Sequence, residues 1–251
     1  MSNEGDGMEY DPELDGIEVG RVFRGEWLVI GKLGEGAFGE VWRVESKEFK
    51  HRAMKIVKTK ESHNEIWALK KLVKSRYVPT IHAQWQFGNQ TALVITLAAG
   101  DLTTLRNNIP EDQKIFSKET SMTICYHEFI HGKDVLHRDI KEPNVCVKLD
   151  ASLQPLPILL LDYGVSESTK EREPVKLEET LGSSECCSPL MATGACATKS
   201  CDLRMMLYAV MVGRNFNVIS EQNGKSAKEL KEELEIKPEN IIRLCEKKMA
   251  L

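Results

Sequence analysis

The sequence predicts an α+β fold with two lobes, a small lobe of β-strands with one helix followed by a mostly helical lobe. Short apolar segments with strand character fill much of residues 27–97, whereas helical periodicity prevails after Gly100. All four tryptophans lie in the first part of the chain, which predicts that most of them build one small core there. A length of 251 residues suits one domain or two closely packed lobes.

The first lobe is predicted from strands and turns that alternate at short intervals. Glycines over residues 34–39 predict a tight turn, and Gly88-Asn89 predicts a hairpin. Residues 62–74 have helical periodicity, with Ile66, Leu69 and Val73 on one face. The predicted strands are residues 27–33, 41–44, 52–57, 81–87 and 91–97.

The second lobe is predicted to contain more helix than strand. Two apolar segments around a proline-bearing turn, residues 145–148 and 158–161, predict strands. An amphipathic helix is expected to stop before Pro238. The predicted helices are residues 102–106, 118–130, 202–212 and 227–235.

Composition is that of an ordinary globular protein, with 41% hydrophobic residues, 29% charged residues and a net charge of −4. The longest apolar runs, 92–99 and 156–161, are shorter than the roughly 18 residues that a membrane span needs. The first residues do not resemble a signal peptide, and the seven scattered cysteines lack zinc-site spacing. We therefore expect free thiols, a cytoplasmic or nuclear location and no membrane partner, with a redox role of Cys186 and Cys187 as the alternative.

Charge divides the chain unevenly. Residues 1–20 contain seven acidic residues and no lysine or arginine, which predicts a disordered acidic tail. The predicted lobes then cover residues 21–97 and 98–251. The basic stretch 47–76 has a nucleic-acid surface as its alternative interpretation, but the sequence pI of about 5.9 favours a solvated face and no nucleic-acid partner.

Residues 34–41 form a G-x-G-x-x-G-x-V string. A dinucleotide-binding fold uses a similar string but needs a helix after it, and here a strand follows. A glycine-rich hairpin places backbone N–H groups over phosphates, because glycine removes the side-chain obstruction. Phosphate binding is therefore one interpretation of the string, and an ordinary hairpin turn is the alternative.

Lys55 lies on the next predicted strand, and taken alone it is best interpreted as a surface lysine. Its place fourteen residues after Val41, on a neighbouring strand, favours an ammonium group that reaches the phosphates beneath the glycine turn. Glu65 is predicted to hold Lys55 in an ion pair, with Glu61 as the fallback partner. The alternative for Glu65 is a capping box with Ser62 at a helix start.

Residues 137–144, with the sequence HRDIKEPN, are the most specific string in the chain. The carboxylate of Asp139 suits acceptance of a hydroxyl proton, Lys141 suits neutralisation of a transferring phosphoryl group, and Asn144 suits a metal ion. Asp162 follows a buried strand and precedes a glycine, which suits a Mg²⁺ ligand. The pattern predicts phosphoryl transfer.

This ordered set of motifs resembles a eukaryotic protein kinase, and Lys141 resembles the serine/threonine type. Finer features resemble the casein kinase I group and its tau-tubulin kinase-like branch. They are residues 65–72, residues 97–102 after a hinge, residues 116–117, residues 182–188 and residues 202–203.

The resemblance implies a bilobal protein-kinase-like fold, ATP and Mg²⁺ as cofactors, and a protein hydroxyl as substrate. Asp139, Lys141, Lys55 and Glu65 would be catalytic, and Asn144 and Asp162 would bind metal. Asp202 would hold the backbone of the 137–139 loop. The nucleotide would contact Gly34, Gly36, Gly39, Val41, Ala53, Lys55, the gatekeeper Ile95 and the hinge residues Thr96, Leu97 and Ala98.

Several features depart from the family pattern. The intervals from Lys55 to Glu65 and from Phe116 to His137 are short, and Tyr163 replaces the usual phenylalanine. Only 39 residues follow Val212, so we expect a truncated C-lobe and a protein partner that covers its apolar surface. These departures motivate the alternative to a serine/threonine kinase, which is a pseudokinase-type binding module.

Overall fold

The computed structural model describes residues 17–36, 39–73, 75, 77–108, 128–148, 158–170 and 198–207. Two compact units contain them. The first unit comprises the described residues up to 73 together with Pro79–Leu97, and the second comprises Ser75–Val78 and the described residues from 98 onward. The predicted acidic tail lies outside the described residues up to residue 16.

A six-stranded antiparallel sheet forms the first unit. All five strands predicted from the sequence are present, and a short strand precedes them. The strands are β1 (Val22–Phe23), β2 (Trp27–Gly36), β3 (Gly39–Glu45), β4 (Arg52–Lys58), β5 (Ile81–Phe87) and β6 (Gln90–Thr96). Their order is β1-β2-β3-β4-β6-β5, so the β5–β6 hairpin pairs with β4 through β6.

Tryptophans contribute to one core cluster on this sheet, as predicted. Trp27 and Trp42 are buried within the cluster, and Trp85 packs against it. Trp67 does not belong to the cluster. It lies on the helix that follows β4, where the ammonium group of Lys71 is 5.0 Å from its ring centroid. Three of the four tryptophans therefore build the core.

Helix α1 (Thr59–Lys71) begins three residues before the predicted start. The backbone N–H of Thr59 donates to the carbonyl of Asn89 at 2.6 Å, and Ser62 Oγ donates back to the Thr59 carbonyl at 2.8 Å. Ser62 therefore lies inside the first turns, and the capping-box interpretation is wrong. The buried face contains Glu65 and Leu69, whereas Val73 is exposed, contrary to the prediction.

The second unit contains short strands and helices in the part of the chain that the structure describes. Two small antiparallel sheets form. In one, β9 (Val145–Lys148) lies between β10 (Ile158–Leu160) and β7 (Ala98–Asp101), and in the other β11 (Glu167–Ser168) pairs with β8 (Val135–Leu136). Asp101 caps helix α2 (Leu102–Asn107), since its carboxylate accepts a hydrogen bond from the N–H of Thr104 at 2.8 Å. The elements are β7 (Ala98–Asp101), α2 (Leu102–Asn107), α3 (Glu128–Gly132), β8 (Val135–Leu136), a 3₁₀ turn (Glu142–Asn144), β9 (Val145–Lys148), β10 (Ile158–Leu160), β11 (Glu167–Ser168) and α4 (Lys199–Leu207).

Predicted helix 102–106 and predicted strands 145–148 and 158–161 are present, whereas the short strands β7, β8 and β11 and the 3₁₀ turn were not predicted. The α+β class is confirmed. Helix α4 begins at Lys199, three residues earlier than predicted, and the rest of the 202–212 helix, the 227–235 helix and most of the 118–130 helix lie outside the described residues. No helix among the described residues is long and apolar enough to cross a bilayer.

Two cysteines fall within the described residues, and both are free thiols buried in the second unit. Burial, with a smaller effect of Asp101, raises the pKa of the Cys146 thiol to about 12. This thiol therefore stays protonated at neutral pH and packs as a small apolar group. Cys186 and Cys187 lie outside the described residues.

Candidate functional site

The glycine string forms the ends of two paired strands in the first unit. Gly34 pairs with Val41, and Gly36 pairs with Gly39, so the string is a hairpin of strands β2 and β3. Gly39 has φ +133°, and a Cβ there would lie 1.9 Å from the carbonyl oxygen of Ile56. Only glycine fits this position.

Gly34 and Gly36 differ from Gly39 in their surroundings. A Cβ added at either residue meets no atom within 4 Å. The packing of the first unit therefore does not require glycine at these two positions. A ligand can approach the backbone N–H groups closely only where the space above the backbone is open, as it is at these two glycines.

An ion-pair triad lies on the same hairpin. Glu35 and Glu40 face each other across the strands, and such like charges repel. Lys32 Nζ lies 2.6 Å from Glu35 Oε2 and 2.7 Å from Glu40 Oε1. Hydrogen bonds to Glu35 and then Glu40 raise the pKa of Lys32, and the hydrogen bond from Lys32 lowers the pKa of Glu40. Lys32 therefore holds the two carboxylates together.

Strand register places four predicted nucleotide contacts on one face of the sheet. Val41 pairs with Lys55, and Ala53 pairs with Ile95. Paired residues project to the same face, and so do residues two apart on one strand. The face therefore carries Val41, Ala53, Lys55 and Ile95. Thr96 follows Ile95 as the last residue of β6.

The predicted ion pair of Lys55 is present. Lys55 Nζ lies 2.8 Å from Glu65 Oε2, and the exposed fractions of the two side chains are 14% and 3%. Glu65 comes from α1, so the contact joins the helix to strand β4. Glu65 is the partner, and the fallback Glu61 does not take this place.

Leu97 and Ala98 lie where the two units meet along the chain. Leu97 is the last residue of the first unit, and Ala98 begins strand β7 in the second. The remaining predicted catalytic and metal-binding residues belong to the second unit.

Asp139, Lys141 and Asn144 form one hydrogen-bonded cluster. Lys141 Nζ lies 2.8 Å from Asp139 Oδ2, and Asn144 Nδ2 donates to the same oxygen at 3.2 Å. Asn144 Nδ2 also donates to the Asp139 carbonyl at 2.8 Å. The amide nitrogen of Asn144 is thus turned toward Asp139, which leaves Oδ1 as the atom that can ligate a cation. The carboxylate of Asp139 is oriented by two donors.

Asp162 follows a residue that is tied to the same loop at two points. The Leu161 N–H donates to the Asn144 carbonyl at 2.8 Å, and its carbonyl lies 2.9 Å from His137 Nε2. Because the Asp139 N–H donates to His137 Nδ1, the neutral tautomer of His137 with hydrogen on Nε2 suits both contacts. Asp162 has φ +64°, an uncommon conformation for a residue other than glycine.

These residues fit a divalent cation in their chemistry. Mg²⁺ prefers oxygen ligands and typically binds one or two protein groups together with phosphates. Asn144 and Asp162 supply an amide oxygen and a carboxylate on segments that the Leu161 hydrogen bonds join. Among the described residues there is no cluster of three His, Cys, Asp or Glu side chains that would enclose a metal by themselves.

Asp202 holds the backbone of the loop, as expected. Its carboxylate accepts from the N–H of His137 at 2.8 Å and from the N–H of Arg138 at 2.9 Å. His131 Nε2 lies 3.1 Å from the same carboxylate. Burial alone raises the pKa of Asp202, but the His131 hydrogen bond and the contacts with His137 outweigh it and lower the pKa.

Sequence reasoning missed two residues around this loop. His131 lies on α3, and Glu167 lies on β11, where its carboxylate pairs with Arg138. Glu167 is 29 positions from Arg138 in the sequence, and no local pattern links the two residues. Residues 182–188, which carry part of the resemblance, lie outside the described residues.

Comparison with known proteins agrees with this geometry. A model of the protein kinase domain matches residues 27–248. A Caenorhabditis elegans protein named as a casein kinase I is 28% identical over 172 residues, which is 63% of this chain and 50% of the relative. A second C. elegans protein, named as a serine/threonine-protein kinase, is 27% identical over 202 residues, or 73% of this chain and 58% of the relative.

A further relative comes from Encephalitozoon cuniculi. It is named as a casein kinase I homologue and is 29% identical over 153 residues, which is 56% of this chain and 46% of the relative. The chain thus spans about half the length of these curated relatives.

Proposed function

The chain belongs to the protein kinase family, and from this premise we propose that it is a serine/threonine protein kinase that transfers the γ-phosphoryl group of Mg-ATP to a protein hydroxyl. The cluster of Asp139, Lys141 and Asn144 carries this proposal, because it orients a carboxylate beside a lysine and an amide. Relatives named as serine/threonine kinases support the substrate class.

Asp139 would accept the proton of the substrate hydroxyl. Its Oδ2 atom receives hydrogen bonds from both Lys141 and Asn144, so the carboxylate is held in one orientation. Lys141 Nζ lies 2.8 Å from Asp139 Oδ2. Lys141 would therefore place its positive charge beside the substrate oxygen that Asp139 contacts. Phosphoryl transfer depends mostly on such positioning and charge stabilisation.

Asn144 and Asp162 would hold Mg²⁺, which when bound neutralises charge on the phosphates. In the first unit, the backbone of Gly34 and Gly36 would approach the phosphates. Lys55, extended by Glu65, would pair with the α- and β-phosphates. Ala53 and Ile95 would contact the nucleotide from the same face of the sheet.

We also propose membership of the casein kinase I group and its tau-tubulin kinase-like branch. Two relatives named as casein kinase I, from different organisms, support the group. The branch rests on the sequence features alone, such as residues 65–72.

Transfer of radiolabelled γ-phosphate to a serine/threonine protein substrate tests the proposed activity. Asp139→Asn is expected to lower the rate by about 100-fold or more, the usual contribution of a general base. The exposed Glu48→Gln serves as the control for loss of one carboxylate. Equal incorporation by wild type and Asp139→Asn would exclude this role of Asp139.

The same experiment separates the alternative function. A melting temperature that rises with Mg-ATP, in a protein without any transfer, would identify a pseudokinase-type nucleotide-binding module. Absence of both a melting-temperature shift at millimolar Mg-ATP and phosphate transfer would reject the kinase proposal and favour a non-catalytic binding module.

A further inference from the structure

Two segments next to the proposed active-site residues are fastened together by a buried ion pair. One is the segment before Asp139, and the other is the segment after Asp162. We propose that Glu167 is a positioning residue for phosphoryl transfer, because its carboxylate fixes Arg138 and thereby the backbone of Asp139. This inference rests on the proposed kinase function and adds a residue outside the recognised motifs.

The Arg138 side chain is held at two atoms. Its Nε donates to the Val165 carbonyl at 2.6 Å, and its terminal nitrogen lies 2.8 Å from Glu167 Oε2. The side chains of Arg138 and Glu167 are only 10% and 12% exposed. A guanidinium group is planar, so two contacts at different nitrogens fix its orientation as well as its position.

The backbone of Arg138 is fixed as well. Arg138 has φ +68°, and its N–H donates to Asp202 Oδ1 at 2.9 Å. A residue other than glycine keeps such a conformation only where surrounding contacts impose it. Because Arg138 precedes Asp139 directly, contacts that anchor Arg138 at both its N–H and its guanidinium set the direction from which the Asp139 carboxylate projects.

Glu167 reaches Arg138 from a strand that is itself anchored. It pairs with Leu136 in the short β8–β11 ladder. Two residues further on, the N–H of Thr169 donates to the Asp134 carbonyl, and Thr169 Oγ1 donates to Asp134 Oδ1, both at 3.1 Å. The carboxylate is therefore presented by a segment that is hydrogen-bonded, at residue 167 and again at residue 169, to the residues that directly precede the loop.

The positive charge of the buried Arg138 guanidinium group makes the Glu167 carboxylate its most important partner. Burial lowers the pKa of Arg138, while Glu167 and Asp202 oppose this effect. The Asp202 oxygens already accept the backbone N–H groups of His137 and Arg138. Without the Glu167 carboxylate, the Arg138 guanidinium group would keep the hydrogen bond to the Val165 carbonyl but would lose its hydrogen bond to a carboxylate. A buried positive charge without this partner would favour displacement of the Arg138 side chain.

Steady-state kinetics of Glu167→Gln tests the proposal, with the exposed Glu48→Gln as the charge-matched control. We expect Glu167→Gln to lower kcat by about 10- to 100-fold, the scale on which misplacement of a catalytic group acts. KM for ATP should remain within about twofold of wild type, because Glu167 touches none of the proposed nucleotide contacts. Glu48→Gln should leave both constants unchanged.

A purely structural role would give a different result. In that case Glu167→Gln would lower the melting temperature and the fraction of active enzyme, while the folded enzyme would keep its kcat. Active-site titration with a tight nucleotide ligand separates the two, and an unchanged kcat per active site would overturn the proposal. If Glu167→Gln does not fold, Glu167→Asp takes its place. Its retracted carboxylate should lower kcat by about threefold or more, and an unchanged kcat would likewise overturn it.

Hydrogen–deuterium exchange of the peptide covering residues 134–144 provides a readout that does not need activity. Glu167→Gln should speed exchange in this peptide, and Glu48→Gln should not. If wild type transfers no phosphate, the kinase function fails, yet faster exchange would still establish that Glu167 positions the loop. Unchanged exchange would reject that role whatever the activity.

Discussion

Lys55 Nζ lies 2.8 Å from Glu65 Oε2, so an inner strand of the first sheet and helix α1 are joined by a largely buried ion pair. Breaking one partner of such a pair leaves the other charge buried without compensation. The pair therefore contributes to stability and, under the proposed function, to the extended position of the Lys55 ammonium group.

Glu65→Gln is the first variant to examine. It keeps the shape and a hydrogen-bond acceptor but removes the charge, so we expect a loss of about 1–3 kcal/mol in the free energy of unfolding. We also expect a higher KM for ATP, because Lys55 is no longer held. Urea denaturation and ATP titrations measure the two effects.

Glu61→Gln is the matched control for this variant on the same helix. Glu61 Oε2 accepts no hydrogen bond within the described residues, so loss of its charge should change stability much less. Equal effects of Glu61→Gln and Glu65→Gln would contradict the importance of the ion pair.

Gly39 and Gly36 give a second matched comparison. At Gly39, φ is +133° and a Cβ would meet the Ile56 carbonyl, so Gly39→Ala should cost about 3 kcal/mol or more. At Gly36 a Cβ has open space, so Gly36→Ala should change stability by no more than about 1 kcal/mol. Thermal denaturation measures both.

The two alanine variants should also differ in nucleotide binding. Under the proposed function, Gly36→Ala should raise KM for ATP although the protein stays folded, because a methyl group would obstruct approach of the phosphates. Unchanged ATP kinetics in Gly36→Ala would argue against close approach of the nucleotide at this glycine.

Asp202 predicts a dependence of stability on pH. Its pKa is lowered in the folded protein relative to an ordinary value of about 3.9. A carboxyl group with a depressed folded pKa stabilises the protein above its unfolded pKa, and this contribution is lost as pH falls through the folded pKa. The Asp202 contribution should therefore be constant near neutral pH and disappear only below about pH 4.

Comparison with Asp202→Asn isolates this effect from other carboxyl groups. Asparagine has one oxygen where two backbone N–H groups require acceptors, so we expect a loss of about 2–4 kcal/mol at pH 7. The difference between wild type and variant, from urea denaturation across pH, should shrink below about pH 4. A difference that grows on acidification would show that the sign of the pKa shift is wrong.

Local patterns predicted several features of this protein well. Strands β2 to β6 followed from alternation and from glycine turns, and the Lys55–Glu65 pair followed from a lysine on a strand and a glutamate on the next helix. The start of α1 was missed because it depends on the Asn89 carbonyl, which accepts the N–H of Thr59 from a hairpin thirty residues away in the chain.

Contacts between distant segments were beyond reach of the sequence. Arg138 and Glu167 are 29 positions apart, and their pairing depends on the register of the β8–β11 ladder. His131 was missed for the same reason, since it becomes relevant only when α4 brings Asp202 beside it. Apolar periodicity reports which face of an element is buried, but it carries no information on which polar groups meet.

The carboxylate of Asp202 accepts the His137 N–H from 65 positions further along the chain. During synthesis the ribosome releases the chain from its N-terminus, so His137 emerges well before Asp202 does. The first sheet, built from residues up to 96, has all its strands by then. The loop around Asp139, in contrast, lacks its Asp202 anchor until Lys199–Leu207 has been translated. We therefore expect the six-stranded sheet to assemble during translation, and the loop around Asp139 to acquire its final shape late.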